Sequence, residues 1–504
     1  MNNVKVKRIK ASSQNALNLV CGLTEHAVSA GIALLLTPFL IERLGVETYG
    51  LYPLVLQFAA LFGVIFGIIN STSSRYIAIE EERGNFKDAS IYFSTAFFSN
   101  LALSLVLLAP MALAIIFSDS IFKVSATSEG DLKIFMLLSF ASVAADALVS
   151  AFDSVYYITN RLEIRSFQQL LGSLLKAASL VAAFSLFPAS LAGVGAAIFI
   201  STLGVSAFRI MISKRLSGGL RLSTSNVSKN AALRMLASGL WYSIGRGATL
   251  LMGGALLAVA NIFLSPQAAG GYSVAFSFTN ALGGIMIAFG AILVPTSAKS
   301  FARGERNRLR DSLIKDTKSV GCFAAAITAV ACVFCNDFFK IWVTEASGSI
   351  LTAMTIALLV PLPALACATP ASNVAMVMNK TRKISLLFLG LGGLTLALAL
   401  TVANFTPFGA VGIAVVSSIS QLVWYSLGIP LFSARIFKTR PAAFLTPTLK
   451  VYLSTAISTL CCLLIGSVSN IRGWISLIII CATSLTVSLA VSFAIIFEPL
   501  KKQG

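Results

Sequence analysis

Long apolar runs alternate with short polar segments along the whole chain. Stretches of roughly 20 or more mainly apolar residues, the length a helix needs to cross a hydrocarbon core, fall at 12–42, 46–74, 89–118, 131–160, 164–187, 190–213, 232–262, 268–298, 319–344, 349–379, 384–404, 407–434, 449–468 and 473–497. Strands of a membrane barrel would alternate apolar and polar positions over about ten residues, and none of these runs does. The connections are too short to hold a soluble domain. The pattern predicts an all-α polytopic membrane protein of about 14 transmembrane helices.

Composition places the chain in the same class and its charge gives a direction. Of 504 residues 57% are hydrophobic and 11% charged, far from the balance of a soluble globular protein. A net charge of +19 would suggest nucleic acid in a soluble chain; here no nucleic acid is expected, because the basic residues sit between the spans and report topology. Sorted by alternate loops, Lys and Arg gather on the side that carries both termini. That side holds "KVKRIK" (5–10), the loop with Lys214, Arg215, Arg221, Lys229 and Arg234, "ARGERNRLRDSLIKDTK" (302–318) and "NKTRK" (379–383). The other side has only Arg43, Lys123, Lys133, Lys340 and Arg472, while Lys176 and Arg246 lie inside spans. The rich side is cytoplasmic by the positive-inside rule. Both termini are therefore expected in the cytoplasm of a multi-pass inner-membrane protein, its basic clusters held by anionic lipids. The first apolar stretch is too long for a signal peptide and lacks a cleavage site, so it is expected to stay attached.

A weak internal repeat appears at a separation of about 220 residues. "CGLTEHAVSAG" (21–31) faces "SGLWYSIGRGA" (238–248), "LGVETYGLY" (44–52) faces "LSPQAAGGY" (264–272), and "TSSRY" (72–76) faces "TSAKS" (296–300). Six helices is an even number, so the copies share orientation in the membrane. This predicts two parallel-related six-helix lobes around a central cavity, 1–218 and 219–440, plus a C-terminal helix pair in 441–504.

Six titratable residues fall deep within spans: Glu25, His26, Asp146, Asp153, Lys176 and Arg246. A charge there costs roughly 2.5–3.5 kcal/mol on insertion scales, so each is expected to face a cavity or a partner. Residues three or four apart share a helix face, and polar residues follow that spacing in four spans. Ser139, Ser142, Asp146, Ser150, Asp153 and Tyr157 form one stripe; Gln169, Gly172, Ser173, Lys176 and Ser179 a second; Asn18, Gly22, Glu25 and Ser29 a third; Ser238, Tyr242, Arg246, Thr249 and Gly253 a fourth. The four stripes are expected to converge on one cavity. The charges pair within it in the simplest arrangement, Asp146 with Lys176 and Glu25 with Arg246. Arg246 invites a second reading: Gly245 and Gly247 clear space around it, Trp241 and Tyr242 offer faces on which sugar rings stack, and a guanidinium fork suits phosphate oxygens. Glu25 and His26 are candidates for coupling to a proton gradient, Glu25 also to Na⁺, with Asp146 and Asp153 as counter-charges.

All eight cysteines lie in apolar segments, and "CVFC" (332–335) reads as small buried hydrophobes rather than a metal or redox site. No GxxxxGK[ST] loop, catalytic triad or metal cluster is present in the sequence, so no enzyme activity, metal or bound cofactor is expected.

The stretch "LTPFLIERLGVETYGLYPLVLQFAALFGVIFGIINSTSSRYIA" (36–78), with Pro38, the "LGVETYGLY" turn and the "SSRY" ending, resembles the polysaccharide transporter family of the multidrug/oligosaccharidyl-lipid/polysaccharide (MOP) superfamily, which includes O-antigen flippases. The resemblance implies two six-helix bundles around a cavity. It also implies movement of undecaprenyl-pyrophosphate-linked oligosaccharide to the periplasmic leaflet by alternating access, with polysaccharide-assembly proteins as partners. A cation or drug antiporter of the same superfamily is the alternative; it would line its cavity with acids and aromatics, whereas this chain has an intramembrane cation in each half. A membrane polysaccharide polymerase or ligase is a third. It would need a large outer loop with Arg and His, and the longest outer loop, near 119–130, is short and has no His.

Overall fold

The computed structural model of the protein describes residues 11–123, 129–216, 219–291, 305–344, 348–377, 382–469 and 471–497. Among them are 14 helices long and apolar enough to cross a membrane, and no strand. In the first half these are α1 (Ala11–Leu44), α2 (Val46–Glu82), α3 (Phe86–Ile116), α4 (Glu129–Ile158), α5 (Leu162–Leu186) and α6 (Leu191–Leu216). They continue with α7 (Lys229–Leu264), α8 (Pro266–Gly290), α9 (Arg306–Trp342), α10 (Ser349–Ser372), α11 (Arg382–Phe405), α12 (Gly409–Phe437), α13 (Ala442–Val468) and α14 (Trp474–Phe497).

Every expected span is therefore a helix, but several helices outrun their apolar cores. Helix α2 continues through "SSRYIAIEEE" to Glu82, because nothing breaks it before Gly84, whose φ of +78° ends the run. Helix α9 starts at Arg306, since "RNRLRDSLIKDTK" consists largely of good helix formers. An apolar run marks where a helix crosses hydrocarbon, not where its hydrogen bonds stop. The basic run 5–10, the "TSAKS" copy and the lobe boundary at 218 lie outside the described residues.

The chain divides into two compact units. The first comprises Met1–Ile32, Phe58–Ser120 and Ser125–Arg246; the second comprises Ala33–Gln57, Ile121–Val124 and Gly247–Gly504. The division cuts α1, α2 and α7 within their lengths.

In the first unit, α4 and α5 both pack on α6. Helix α7 meets α2 at Gly239, where a Cβ would fall 1.8 Å from the Ile68 carbonyl oxygen, so only glycine permits the approach. Tyr76 and Ser238 hydroxyls bond across the same helices at 2.8 Å. Asp119, outside the spans, lies 2.5 Å from the Lys133 ammonium at the start of α4, which holds that carboxyl below the usual carboxylate range.

In the second unit α9 is the hub, packed against α10, α13 and α14. The last two helices join along small polar residues, the arrangement that lets helices approach closely in lipid: Ser454 donates to Ser492 at 2.7 Å and Cys462 lies 3.3 Å from Ser488. The start of α2 and the start of α8 meet backbone to backbone. A Cβ on Gly50 would lie 2.9 Å from the Gly270 backbone, and one on Gly270 would lie 2.5 Å from the Val46 carbonyl oxygen. Gln267 donates to Glu47, a pair separated by 220 residues, and Gly50 and Gly270 have the same separation. Positions matched by the sequence repeat thus touch one another within the second unit.

Candidate functional site

The first unit encloses a polar cavity of about 450 Å³ lined by residues of α1, α4, α5 and α6. Its shape follows from where polar residues interrupt apolar helix faces. Helix α1 brings Glu25 and Ser29 one turn apart; α5 brings Gln169, Gly172, Ser173 and Lys176; α6 brings Ser201, Thr202 and Arg209. In α4 the residues are Asp146 and Asp153, the first preceding and the second ending a 3-10 turn at Ser150–Asp153 that tightens the helix.

Arg209 organises the charges. Its side chain is only 7% exposed, and it sits between two carboxylates: Nη2 is 2.9 Å from Asp146 Oδ1 and Nε is 3.0 Å from Asp153 Oδ1. A further donor, Nη1, reaches the Asp146 carbonyl at 3.3 Å. The amide oxygen of buried Gln168 accepts from Arg209 Nη2 and Nε at 3.0 and 2.9 Å, while its nitrogen donates to the Tyr156 hydroxyl at 3.0 Å. A guanidinium in such a site is tolerable because its donors are used.

This corrects the expected pairing of Asp146 with Lys176. Asp146 lies on α4, whose packing partner is α6, and the basic residue of α6 takes both acids. Lys176 lines the same cavity from α5 and has no hydrogen-bond or ionic partner among the described residues. The pairing of Glu25 with Arg246 is likewise replaced. Ser29 donates to Glu25 at 3.1 Å and contacts Ser173 at 2.9 Å, tying α1 to α5. The second oxygen of Glu25 is 3.6 Å from His26 Nδ1, whose side chain is 52% exposed while Glu25 is buried.

Three of the four polar stripes contribute to the cavity, though not along their whole length. Asn18 is used elsewhere, bonding the α4–α5 turn through the Asn160 carbonyl and the Glu163 amide. Ser139 and Ser142 are buried in packing above Asp146. The fourth stripe lies outside this lining: Arg246 and Tyr242 are exposed on α7, with Trp241 half-buried beside them, and Arg246 has no ionic partner among the described residues.

Arg209 was the site residue that sequence reading passed over, since it stands close before Lys214 and Arg215 and counts with the basic loop. The signal was present in the spacing of Ser201, Val205, Arg209 and Ser213, four residues apart on an otherwise apolar helix. Of the "CVFC" cysteines, Cys335 is buried on α9, its thiol 3.5 Å from the Cys332 carbonyl.

The first unit thus holds a charged cavity within a bundle of apolar helices, where ionisable residues mark a functional site. Residues 18–301, more than half the chain, match the model of the polysaccharide biosynthesis protein family, and the protein belongs to that family. It is 23% identical over 472 residues to the uncharacterized membrane protein EpsK of Bacillus subtilis (strain 168), covering 94% of this chain and 93% of that one. Its fold is similar to that of the lipid II flippase MurJ in an inward closed conformation, with a TM-score of 0.66, 14% identity, and coverage of 95% of this chain and 99% of MurJ. It is also similar to an inward-facing multidrug resistance MATE family transporter of the MOP superfamily, with a TM-score of 0.65, 16% identity and coverage of 84% and 98%.

Proposed function

We propose that the protein flips an undecaprenyl-pyrophosphate-linked oligosaccharide from the cytoplasmic to the periplasmic leaflet of the inner membrane by alternating access. The lobes are 1–218 and 219–440, with 441–504 as an added helix pair. Membership of a polysaccharide biosynthesis family and a fold like that of a lipid II flippase both support this reading. The observation that carries it is the division of the charges. The cavity is lined by three acids and three basic residues, but Asp146 and Asp153 are already engaged by Arg209, and Glu25 by Ser29 and His26. Lys176 and Arg246 are the intramembrane cations without partners among the described residues, so the unsatisfied charge favours an anion. An ammonium and a guanidinium are suited to a pyrophosphate, and Trp241 and Tyr242 beside Arg246 to sugar rings. Glu25, buried next to His26, is the proposed proton or Na⁺ site that drives the cycle. No cofactor takes part.

A cation antiporter would leave its acids open to substrate. Binding to the purified chain separates the two readings. A polyprenyl-pyrophosphate sugar is expected to bind and to lose roughly tenfold in affinity with Lys176→Ala, the loss of one charge-assisted contact. Tight binding of a lipophilic aromatic cation with no response to the pyrophosphate lipid would turn the reading to the antiporter.

The orientation has its own test. Reporter fusions after Gln267 and Phe405 are expected to read periplasmic and one after Arg310 cytoplasmic. A reversed pattern would place the basic clusters outside and contradict the proposed direction of transport.

A further inference from the structure

A second cavity, of about 470 Å³, lies in the first unit beneath the segment that links α6 to α7. Buried hydroxyls of α3 fasten that segment along its length. The Arg221 amide donates to Ser90 at 3.1 Å, Ser94 donates to the Arg221 carbonyl at 3.1 Å and accepts from the Ser223 amide at 3.2 Å, and the Ser228 amide donates to Thr95 at 3.1 Å. Ser90, Ser94 and Thr95 are all buried. The fastened segment roofs a space walled by Phe93, Phe97, Phe152, Val155 and Ile210, with Leu220 and Leu222 from the segment itself. Phe93 and Phe152 meet edge to face at 5.0 Å in its wall.

The lining offers one charged group, the exposed Lys214 at the end of α6. Arg215 and Arg221 are exposed close by in the chain, and so are the apolar Phe86, Leu222 and Val227. Exposed apolar and basic side chains together at the ends of membrane spans mark the headgroup level of a bilayer. The cavity has room for about fifteen water-sized groups, yet water needs two to four polar partners and an apolar cavity stays dry. Its occupant must therefore be apolar in the depth and anionic at the mouth.

We propose that this cavity is a binding site for one anionic phospholipid of the bilayer, an acyl chain entering among Phe93, Phe97 and Phe152 and the phosphate meeting Lys214. The ligand would hold the linker down on α3 from below, as the buried hydroxyls hold it from the side. The site is separate from the charged cavity around Arg209, and the inference does not depend on the identity of the transported molecule.

Native mass spectrometry of the full-length purified protein tests it, with phosphatidylglycerol and phosphatidylcholine of identical chains as probes. One phosphatidylglycerol is expected to be retained preferentially. Lys214→Ala should lower its affinity about fivefold, the contribution of one basic residue near an anionic surface. Ile210→Trp should fill the cavity and remove binding of either lipid, and phosphatidylglycerol should raise the unfolding temperature of wild type but not of Ile210→Trp. Lys214 is exposed, so its variant reports on binding even where the filled variant folds poorly. Equal retention of the two lipids, or retention unchanged in Lys214→Ala, would overturn the proposal. Displacement of phosphatidylglycerol by a polyprenyl phosphate would do so too, because the site would then belong to the transported lipid.

Discussion

Replacing Arg209 with Ala is expected to reduce the protein to a small fraction of its wild-type level in the membrane. The substitution leaves Asp146 and Asp153 facing each other with no cation between them, and it strips Gln168 of its donors. Breaking a buried ion pair costs about 3–5 kcal/mol. The lower end applies here, because the Asp146 side chain is 58% exposed and water can compensate part of its charge. Even so, about 3 kcal/mol is a large share of the stability of an ordinary domain. The neighbouring substitutions sharpen the account. Asp146→Asn should be mild, since Arg209 keeps Asp153 at 3.0 Å. Arg209→Lys should fall between, because an ammonium keeps the charge but not the fork that spans two carboxylates and an amide. Adding Asp153→Asn to Arg209→Ala should restore part of the loss, the signature of coupled residues in a double-mutant cycle. Size-exclusion profiles and unfolding temperatures of the purified variants give the answer, and an Arg209→Ala protein as stable as wild type would remove Arg209 from its organising place.

The number of spans was legible in the sequence because burial in lipid demands long apolar runs and little else satisfies that demand. Gly50 and Gly270, matched in the sequence by the 220-residue spacing, stand where backbones so close leave no room for a side chain. The stripes in α1 and α5 put Glu25, Ser29, Ser173 and Lys176 on two helix faces, and all four line one cavity. Partners were harder, since periodicity gives the face of a helix but not the helix opposite. Asp146 shares a cavity with Lys176, yet α4 packs on α6, and that packing gave both acids to Arg209. The turn at Ser150–Asp153 was also hidden, because the spacing of the α4 stripe continues through it without a break. Arg209 itself was masked by the basic loop that follows it.

The second large effect concerns Arg246, at the middle of α7 and without an ionic partner among the described residues. An unpaired charge at mid-span costs roughly 2.5–3.5 kcal/mol on insertion scales, so a residue kept only for packing would not be arginine. Its neighbours Gly245 and Gly247 add no side-chain bulk to the approach of a large head group. If Arg246 meets the pyrophosphate through its planar fork, Arg246→Ala removes two charge-assisted bonds, worth together about 3 kcal/mol or a hundredfold. Arg246→Lys keeps one contact and should lose about tenfold. Because Arg246 is exposed and unpaired, neither variant should lower the amount of folded protein, which distinguishes this residue from Arg209.

The most direct measurement is transbilayer movement of a fluorescent polyprenyl-pyrophosphate-linked oligosaccharide in proteoliposomes bearing an imposed proton or Na⁺ gradient. The wild-type protein is expected to expose the lipid-linked sugar to the opposite leaflet, Arg246→Lys to do so about tenfold more slowly, and Arg246→Ala to be indistinguishable from empty vesicles. No movement by the wild-type protein under either gradient, or equal movement by Arg246→Ala, would contradict the account.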